Sequence, residues 1–186
     1  MKKVFLDSSV LFTAVNSPLG GSAKLFTLKN IKLTASRLVL TETERNIREK
    51  LEDYHLQRFF LLTKKLEVLN QEPNQQLIKK AENVIVKKDA VILAEAKMAK
   101  ADYLITLDKK HFLIPEAVSF LKPKKIFTPK MFFDIFKTKP WKKLFFGKKN
   151  PTRQFAALPV TIFAKLPRAK PVFAGYGKIK MASFIL

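Results

Sequence analysis

The sequence predicts an α/β fold in which a mostly parallel sheet is covered by helices on both faces. Short apolar, β-leaning runs alternate with segments of helical periodicity along the first three quarters of the chain. The first run, Lys3 to Leu6, is continuously apolar after its lysine instead of alternating, as a strand buried on both faces requires. Two of the runs deliver a carboxylate just past their C-terminal ends, Asp7 and Asp108, where open α/β sheets hold their ligands.

The elements follow in order. After Lys3 to Leu6, a helix begins near Val10, and Ser22 to Leu28 reads as another helix. Ile31 to Ala35 is a second strand. Ser36 then offers an N-cap for a helix from Leu38 towards Glu52. Tyr54 to Lys65 and Gln75 to Val84 have helical spacing, and Leu66 to Leu69 is a weak strand between them. In Asp89 to Lys100, Ile92, Leu93, Ala96 and Ala99 fall on or beside one face, which marks a helix. Tyr103 to Thr106 and Lys125 to Thr128 complete the strands, and Pro129 opens a last helix to about Phe136.

Composition limits what such a chain can do. Its 186 residues and 47% apolar content suffice for one domain with a real core. The absence of cysteine excludes disulfides and thiolate metal sites and is compatible with a reducing cytosol, and two histidines make a zinc site improbable. No run of about 18 uninterrupted apolar residues is present, so no transmembrane segment is expected. The apolar start is interrupted by Asp7, Ser8 and Ser9 and does not read as a secretory signal, so a cytoplasmic location is expected.

The formal charge of +21 points to a polyanionic partner, nucleic acid or an anionic membrane surface. The charge is unevenly placed. Residues 1 to 136 hold 24 basic and 15 acidic side chains, whereas 137 to 186 hold 12 basic and none acidic, with five of the ten prolines. This composition break divides the chain into a domain over residues 1–138 and a basic, Pro- and Phe-rich extension over 139–186.

Each acid has a plain structural reading beside a chemical one. Asp7, after a buried strand, either caps the next helix or needs a cation to offset its burial. Asp89, directly before Ala90-Val91-Ile92-Leu93, has the same two readings as an N-cap or ligand, and Asp108 is either a turn aspartate or a site residue. Glu42 and Glu44 stand about 200° apart on a helix, so only one of them can face a common site. Wheel position slightly favours Glu44. Asp102 precedes its strand and belongs at the opposite end from Asp108. Glu95 falls on the far side of its helix from Leu93 and Ala96, where solvent is expected, and His111 in Lys109-Lys110-His111-Phe112 reads first as a solvated loop histidine.

Taken together, four segments resemble the ordered acidic motifs of PIN-domain nucleases. They are Asp7-Ser8-Ser9-Val10-Leu11, Ser36 through Glu42-Thr43-Glu44-Arg45-Asn46-Ile47, Asp89 to Ala96, and Ala101 to Asp108, with Phe127-Thr128-Pro129-Lys130 near the end. The resemblance covers about residues 1 to 137. It implies a three-layer α/β/α sandwich and places the metal-binding and catalytic acids at Asp7, Glu42, Asp89 and Asp108, with Glu42 preferred because it lies five residues before Ile47. Asp102, Ser8 and Thr106 follow as less certain or supporting positions. The resemblance further implies Mg²⁺ or Mn²⁺ as cofactor, cleavage of RNA phosphodiester bonds, and, for many members of this size, a toxin's role with an antitoxin protein as partner. A homodimer is a further expectation.

Hard carboxylate oxygens suit Mg²⁺, and the waters it retains can be activated for attack on phosphorus. Competing chemistries lack their residues. An Asp-x-Asp phosphotransferase would want an acid where Ser9 stands, and Gly20-Gly21 lacks the lysine and Ser/Thr of a phosphate loop. Lys109 and Lys110 beside the site, and Lys142 and Lys143 flanked by Trp141, Phe145 and Phe146 in the extension, combine phosphate-seeking charge with stacking surfaces. Packing on the domain, a membrane surface or an antitoxin contact are alternative uses of that extension. A noncatalytic RNA-binding or regulatory module on the same fold is the alternative function.

Overall fold

Val4, Phe5 and Leu6 are fully buried because the strand that carries them, β1 (Lys2–Leu6), is the middle strand of a five-stranded, all-parallel sheet. The computed structural model describes residues 1–138; the expected boundary after 138 and the extension lie outside the described residues. After β1 come α1 (Ser8–Asn16), α2 (Gly21–Leu25), β2 (Ile31–Ser36), α3 (Arg37–Lys50), α4 (Tyr54–Thr63) and β3 (Glu67–Leu69). Then follow α5 (Gln75–Glu82), α6 (Lys87–Met98), β4 (Tyr103–Ile105), α7 (Lys109–Phe112), α8 (Pro115–Leu121), β5 (Lys125–Phe127) and α9 (Pro129–Thr138).

Alternation along the strands gives the sheet two apolar faces. Val4, Leu6, Leu33, Ile105 and Phe127 pack in one cluster with Val10, Leu11 and Ala14 of α1, Ile47 of α3, Phe59 of α4 and Phe132 of α9. Phe5, Leu104 and Ile126 pack in the other with Ala81 of α5, Ala90, Ile92, Leu93, Ala94 and Ala96 of α6, Phe112 of α7 and Leu121 of α8. The result is the three-layer α/β/α sandwich. Among the described residues no helix is long and apolar enough to cross a membrane.

The strands lie in the order β3-β2-β1-β4-β5. From β1 the chain moves outward to β2 and β3, then returns to add β4 and β5 on the other side. The reversal between β1 and β4 leaves a crevice at their C-terminal ends, which in open α/β sheets is the ligand position.

Most expected elements are present within a few residues, and the differences have local causes. α6 starts at Lys87, two residues before Asp89, because the Asp89 and Ala90 N–H groups already bond to Val86 O at 2.9 and 3.2 Å. Two short helices, α7 and α8, were not expected. α8 nevertheless carries helix-start chemistry, with Pro115 at its first position and Glu116 in its first turn.

Glu95 corrects the expectation of a solvated position. It is 5% exposed, and the Ser36 hydroxyl donates to its Oε2 at 2.6 Å while accepting the Val39 N–H at 3.2 Å as the N-cap of α3. α6 is enclosed nearly all round, with Ala90, Ile92, Leu93, Ala94 and Ala96 buried, so position 95 has no water to face. Burial raises the Glu95 carboxyl above its ordinary value; the Ser36 hydrogen bond opposes this rise and Glu72 adds to it.

A raised carboxyl pKa means that the folded protein keeps a proton the unfolded chain has lost, so this site's contribution to stability falls as pH rises through that window. Glu95→Gln keeps the shape and removes the charge. Its Tm should therefore approach the wild-type Tm well below the ordinary value of 4.5, where Glu95 is neutral in both states, and exceed it increasingly at higher pH. Calorimetric scans across pH check this; a wild-type Tm at or above the variant's at pH 8 would contradict it.

Candidate metal centre

Asp7 stands where β1 ends and α1 begins, and its position is over-determined. Its N–H bonds to Ile105 O at 3.0 Å, extending the β1–β4 pairing by one residue, and its side chain accepts the Ser8 N–H at 2.8 Å as the N-cap of α1. The capping reading of Asp7 is therefore correct as far as it goes. The other carboxylate oxygen accepts from two hydroxyls, Ser9 at 2.5 Å and Thr106 at 2.8 Å. A side chain only 3% exposed is thus given hydrogen-bond partners on both oxygens.

The same two hydroxyls reach the loop after β4. Ser9 Oγ accepts the Leu107 N–H at 3.1 Å, and Thr106 Oγ1 accepts the Asp108 N–H at 3.0 Å. Asp7 and the backbone carrying Asp108 are tied through two shared hydroxyls. Asp108 in turn caps the short helix α7, accepting the His111 N–H at 3.1 Å. Burial alone would raise the Asp108 carboxyl, but hydrogen bonds from the His111 ring and backbone hold it below its ordinary value.

Asp89 differs from the other two. It does not cap α6, whose N-cap is Val86; it occupies the first helical turn, where negative charge complements the helix dipole. One of its carboxylate oxygens, Oδ2, is buried without a hydrogen-bond partner. Burial pushes its pKa up, Lys88 and His111 counter this, and the neighbouring Asp108 and Asp7 charges push it up further.

These acids and Glu42 line one cleft of about 240 Å³, together with Ser8, Ser9, Asn46, Lys50, Lys88 and Phe112 among others. Glu42 belongs to a stripe on α3, Glu42-Asn46-Lys50, whose members are four residues apart and face the same way. Glu44 points elsewhere and pairs with Arg48 at 2.6 Å, so the preference that wheel position gave Glu44 is corrected. Asp102 is at the opposite end of the sheet. It accepts from Lys2 Nζ at 2.7 Å and the Lys3 N–H at 2.9 Å, first through the Lys2 contact falling below its ordinary pKa, and has no place in the cleft.

Ser8 contributes its backbone N–H, its hydroxyl lying 3.4 Å from Asp7 Oδ1, whereas Thr106 is in direct contact. Lys109 and Lys110 are exposed on α7, outside the lining of the cleft, and Lys142 and Lys143 lie outside the described residues. Ser9, Asn46, Lys50 and Lys88 were not singled out from the sequence. His111 was expected in solvent and instead has Nδ1 2.7 Å from Asp108 Oδ2 and 3.6 Å from Asp89 Oδ2. The histidine three residues after Asp108 was the available signal, since Asp108 as an N-cap brings that residue back over its carboxylate.

A larger cleft, about 330 Å³, opens beside β3, lined by Lys3, Thr34, Val68 and Met98 among others. Its one carboxylate, Glu67, pairs with Lys32 at 3.1 Å and Lys3 at 3.5 Å. Volume alone therefore does not locate chemistry here.

The shared hydroxyls generate a prediction. Thr106→Val keeps the volume but removes a donor to Asp7 and the acceptor of the Asp108 N–H, leaving buried polar atoms underpaired. Urea melts should show a loss of roughly 1–3 kcal/mol, largely restored in Thr106→Ser; unchanged stability would contradict the coupling of the two loops.

Comparison with known proteins places the fold. No protein-family model and no curated protein matches the sequence. Solved structures do match. VapBC-1 from nontypeable Haemophilus influenzae aligns at 20% identity and TM-score 0.50, over 69% of this chain and 98% of that one. PAE2754 from Pyrobaculum aerophilum aligns at 15% identity and TM-score 0.50, over 74% of this chain and 91% of that one. At these identities the likeness concerns the fold alone, and it agrees with the expected α/β arrangement of a parallel sheet between two layers of helices.

Proposed function

We propose that this protein is a metal-dependent endoribonuclease that hydrolyses RNA phosphodiester bonds in the cleft at the ends of β1 and β4. The observation that carries this reading is the convergence of Asp7, Glu42, Asp89 and Asp108, from four separate segments, on one cleft that also presents Lys50 and Lys88. Gathering like charges costs free energy unless a cation offsets it, and a protein that only bound RNA would gain nothing by repelling phosphate at this point.

The residues fit a divalent metal. Asp89 Oδ2 is a buried acceptor without a hydrogen-bond partner, and the donor set is dominated by hard carboxylate oxygens of the kind Mg²⁺ and Mn²⁺ take. Asp7, Asp89 and Asp108 would hold the ion, with Glu42 completing the set from α3. A bound divalent ion supplies charge neutralisation at the scissile phosphate and acidifies a water for attack on phosphorus.

The protein's own residues do the rest. Ser9 and Thr106 fix Asp7, and through Leu107 and Asp108 they set the spacing between the two loops. Lys50 and Lys88 offer exposed positive charge at the same cleft, which draws the RNA backbone towards an otherwise acidic place. In the reaction a water oxygen bonds to phosphorus, the bond to the leaving ribose oxygen breaks, and that oxygen takes up a proton. On this reading RNA is the substrate, the protein acts as a toxin, and its macromolecular partners are an antitoxin and a second copy of the chain. The likeness to the VapBC-1 structure supports the toxin-like form at the level of fold.

Asp7→Asn and Asp108→Asn preserve shape and remove the charge that holds the ion. Cleavage of single-stranded or loop RNA in Mg²⁺ or Mn²⁺ should fall by orders of magnitude in both, and in Asp89→Asn and Glu42→Gln, while Glu44→Gln stays close to wild type. EDTA should abolish the wild-type activity. Equal cleavage by wild type and Asp7→Asn, or cleavage indifferent to EDTA, would reject the mechanism in favour of a binding module.

The basic extension is assigned to RNA binding by its composition, with Lys142 and Lys143 among its phosphate contacts. Replacing both by Gln in the full chain should flatten the dependence of log affinity on log salt by about 1.4, from roughly 0.7 per contact with single-stranded RNA. Binding titrations from low to moderate salt measure this, and an unchanged slope would remove these lysines from the RNA contact.

A further inference from the structure

The carboxylates explain why the cleft suits a divalent ion, but not the nitrogen beside them. We propose that His111 Nδ1 is a ligand of the same metal centre and that it biases the centre towards Mn²⁺ over Mg²⁺. The inference rests on the metal-centre reading above and adds to it a donor that the acidic motifs do not contain.

Three donor atoms, one each from Asp89, Asp108 and His111, lie within 4.8 Å of one another. Ligands about 2.1 Å from one ion stand about 3 Å apart when adjacent and about 4.2 Å apart when opposite. His111 Nδ1 is 2.7 Å from Asp108 Oδ2 and 3.6 Å from Asp89 Oδ2, separations that bracket the spacing of adjacent ligands. The 3.6 Å separation is too long for a hydrogen bond, and Asp89 Oδ2 is the buried oxygen without a partner. A cation shared by the three groups would give that oxygen the contact it lacks.

His111 is held for this role by the backbone. Asp108 caps α7 and accepts the His111 N–H, so the carboxylate and the imidazole leave the same short turn towards each other. The ring is 24% exposed and the Asp89 side chain 14%, enough burial to limit competition from water. Coordination through Nδ1 requires the neutral tautomer with hydrogen on Nε2, so the ring hydrogen moves from Nδ1 to Nε2 by exchange with solvent and the Nδ1 contact with Asp108 becomes one between two ligands of the same ion. Mg²⁺ is held almost entirely by oxygen donors and water; Mn²⁺ also favours oxygen but, as a transition ion, tolerates one nitrogen ligand better than Mg²⁺ does, which is the origin of the bias. The simpler role for His111, donating a hydrogen bond that orients Asp108, involves no bond to the metal.

Pulsed electron paramagnetic resonance separates the two roles. The full-length protein with one equivalent of Mn²⁺ should show ¹⁴N coupling from a directly bound imidazole, converted to a ¹⁵N signature when histidine is ¹⁵N-labelled. The chain has two histidines; His111 is in contact with Asp108 and near Asp89, whereas His55 on α4 is buried with Nδ1 3.1 Å from Glu52 O and is not part of that donor cluster. The signal should vanish in His111→Gln. Calorimetric titration should show Mn²⁺ affinity falling at least about tenfold in that variant, with Mg²⁺ affinity changing much less.

Mn²⁺ bound in a manner dependent on Asp108 but without histidine coupling would overturn this proposal and leave the carboxylate centre standing. Absence of Mn²⁺ binding by the wild type would overturn both. Equal losses of Mn²⁺ and Mg²⁺ affinity in His111→Gln would also reject the bias. The labelled wild-type spectrum decides ligation even if the variant does not fold.

Discussion

A carboxylate held out of water needs partners, and the way Asp7 obtains them organises this end of the molecule. Its two oxygens receive a backbone N–H from its own helix and hydroxyls from Ser9 and Thr106. Because those hydroxyls also accept N–H groups from Leu107 and Asp108, satisfying Asp7 fixes the loop that carries the next acid. Each hydroxyl acts as donor to one loop and acceptor from the other, so a shift of either loop costs the buried Asp7 carboxylate a donor. The spacing of the acids is therefore set by hydrogen bonding before any ion is considered.

The sheet supplies the rest of the convergence. Its order reverses between β1 and β4, so the C-terminal ends of two adjacent central strands open onto the same crevice. α3 presents Glu42 and α6 presents Asp89 to that crevice from the surrounding helices. The contrast among the carboxylates follows from their surroundings. Asp108 has hydrogen-bond donors and is held below its ordinary pKa; Asp89 has an oxygen without one and is pushed above. On the proposed reading a cation would benefit the poorly satisfied member most.

The sequence made the sheet legible because apolar strands and their trailing acids are local signals. Ser36 as the N-cap of α3 and Pro129 at the start of α9 were readable for the same reason. Other features depend on tertiary contact. Periodicity on α3 could not choose between Glu42 and Glu44, because the choice is made by which side of that helix meets the cleft and which meets Arg48. Glu95 misled because α6 is enclosed on almost every side, so distance from its apolar residues did not imply solvent. Ser9 and His111 were missed through their partners: each matters only once two loops, or a capped turn and a helix, come together. Helix α7, at four residues, is too short to show a period at all.

The central claim is that the acidic cleft is a divalent-cation site built into the fold. Crystals of the full-length protein soaked in Mn²⁺, measured for anomalous scattering, test it most directly. The account predicts a strong anomalous peak in the cleft bounded by Asp7, Glu42, Asp89 and Asp108, lost in the Asp108→Asn protein. A cleft without a peak at millimolar Mn²⁺, or a peak only at surface carboxylates such as Glu44 or Asp102, would contradict it.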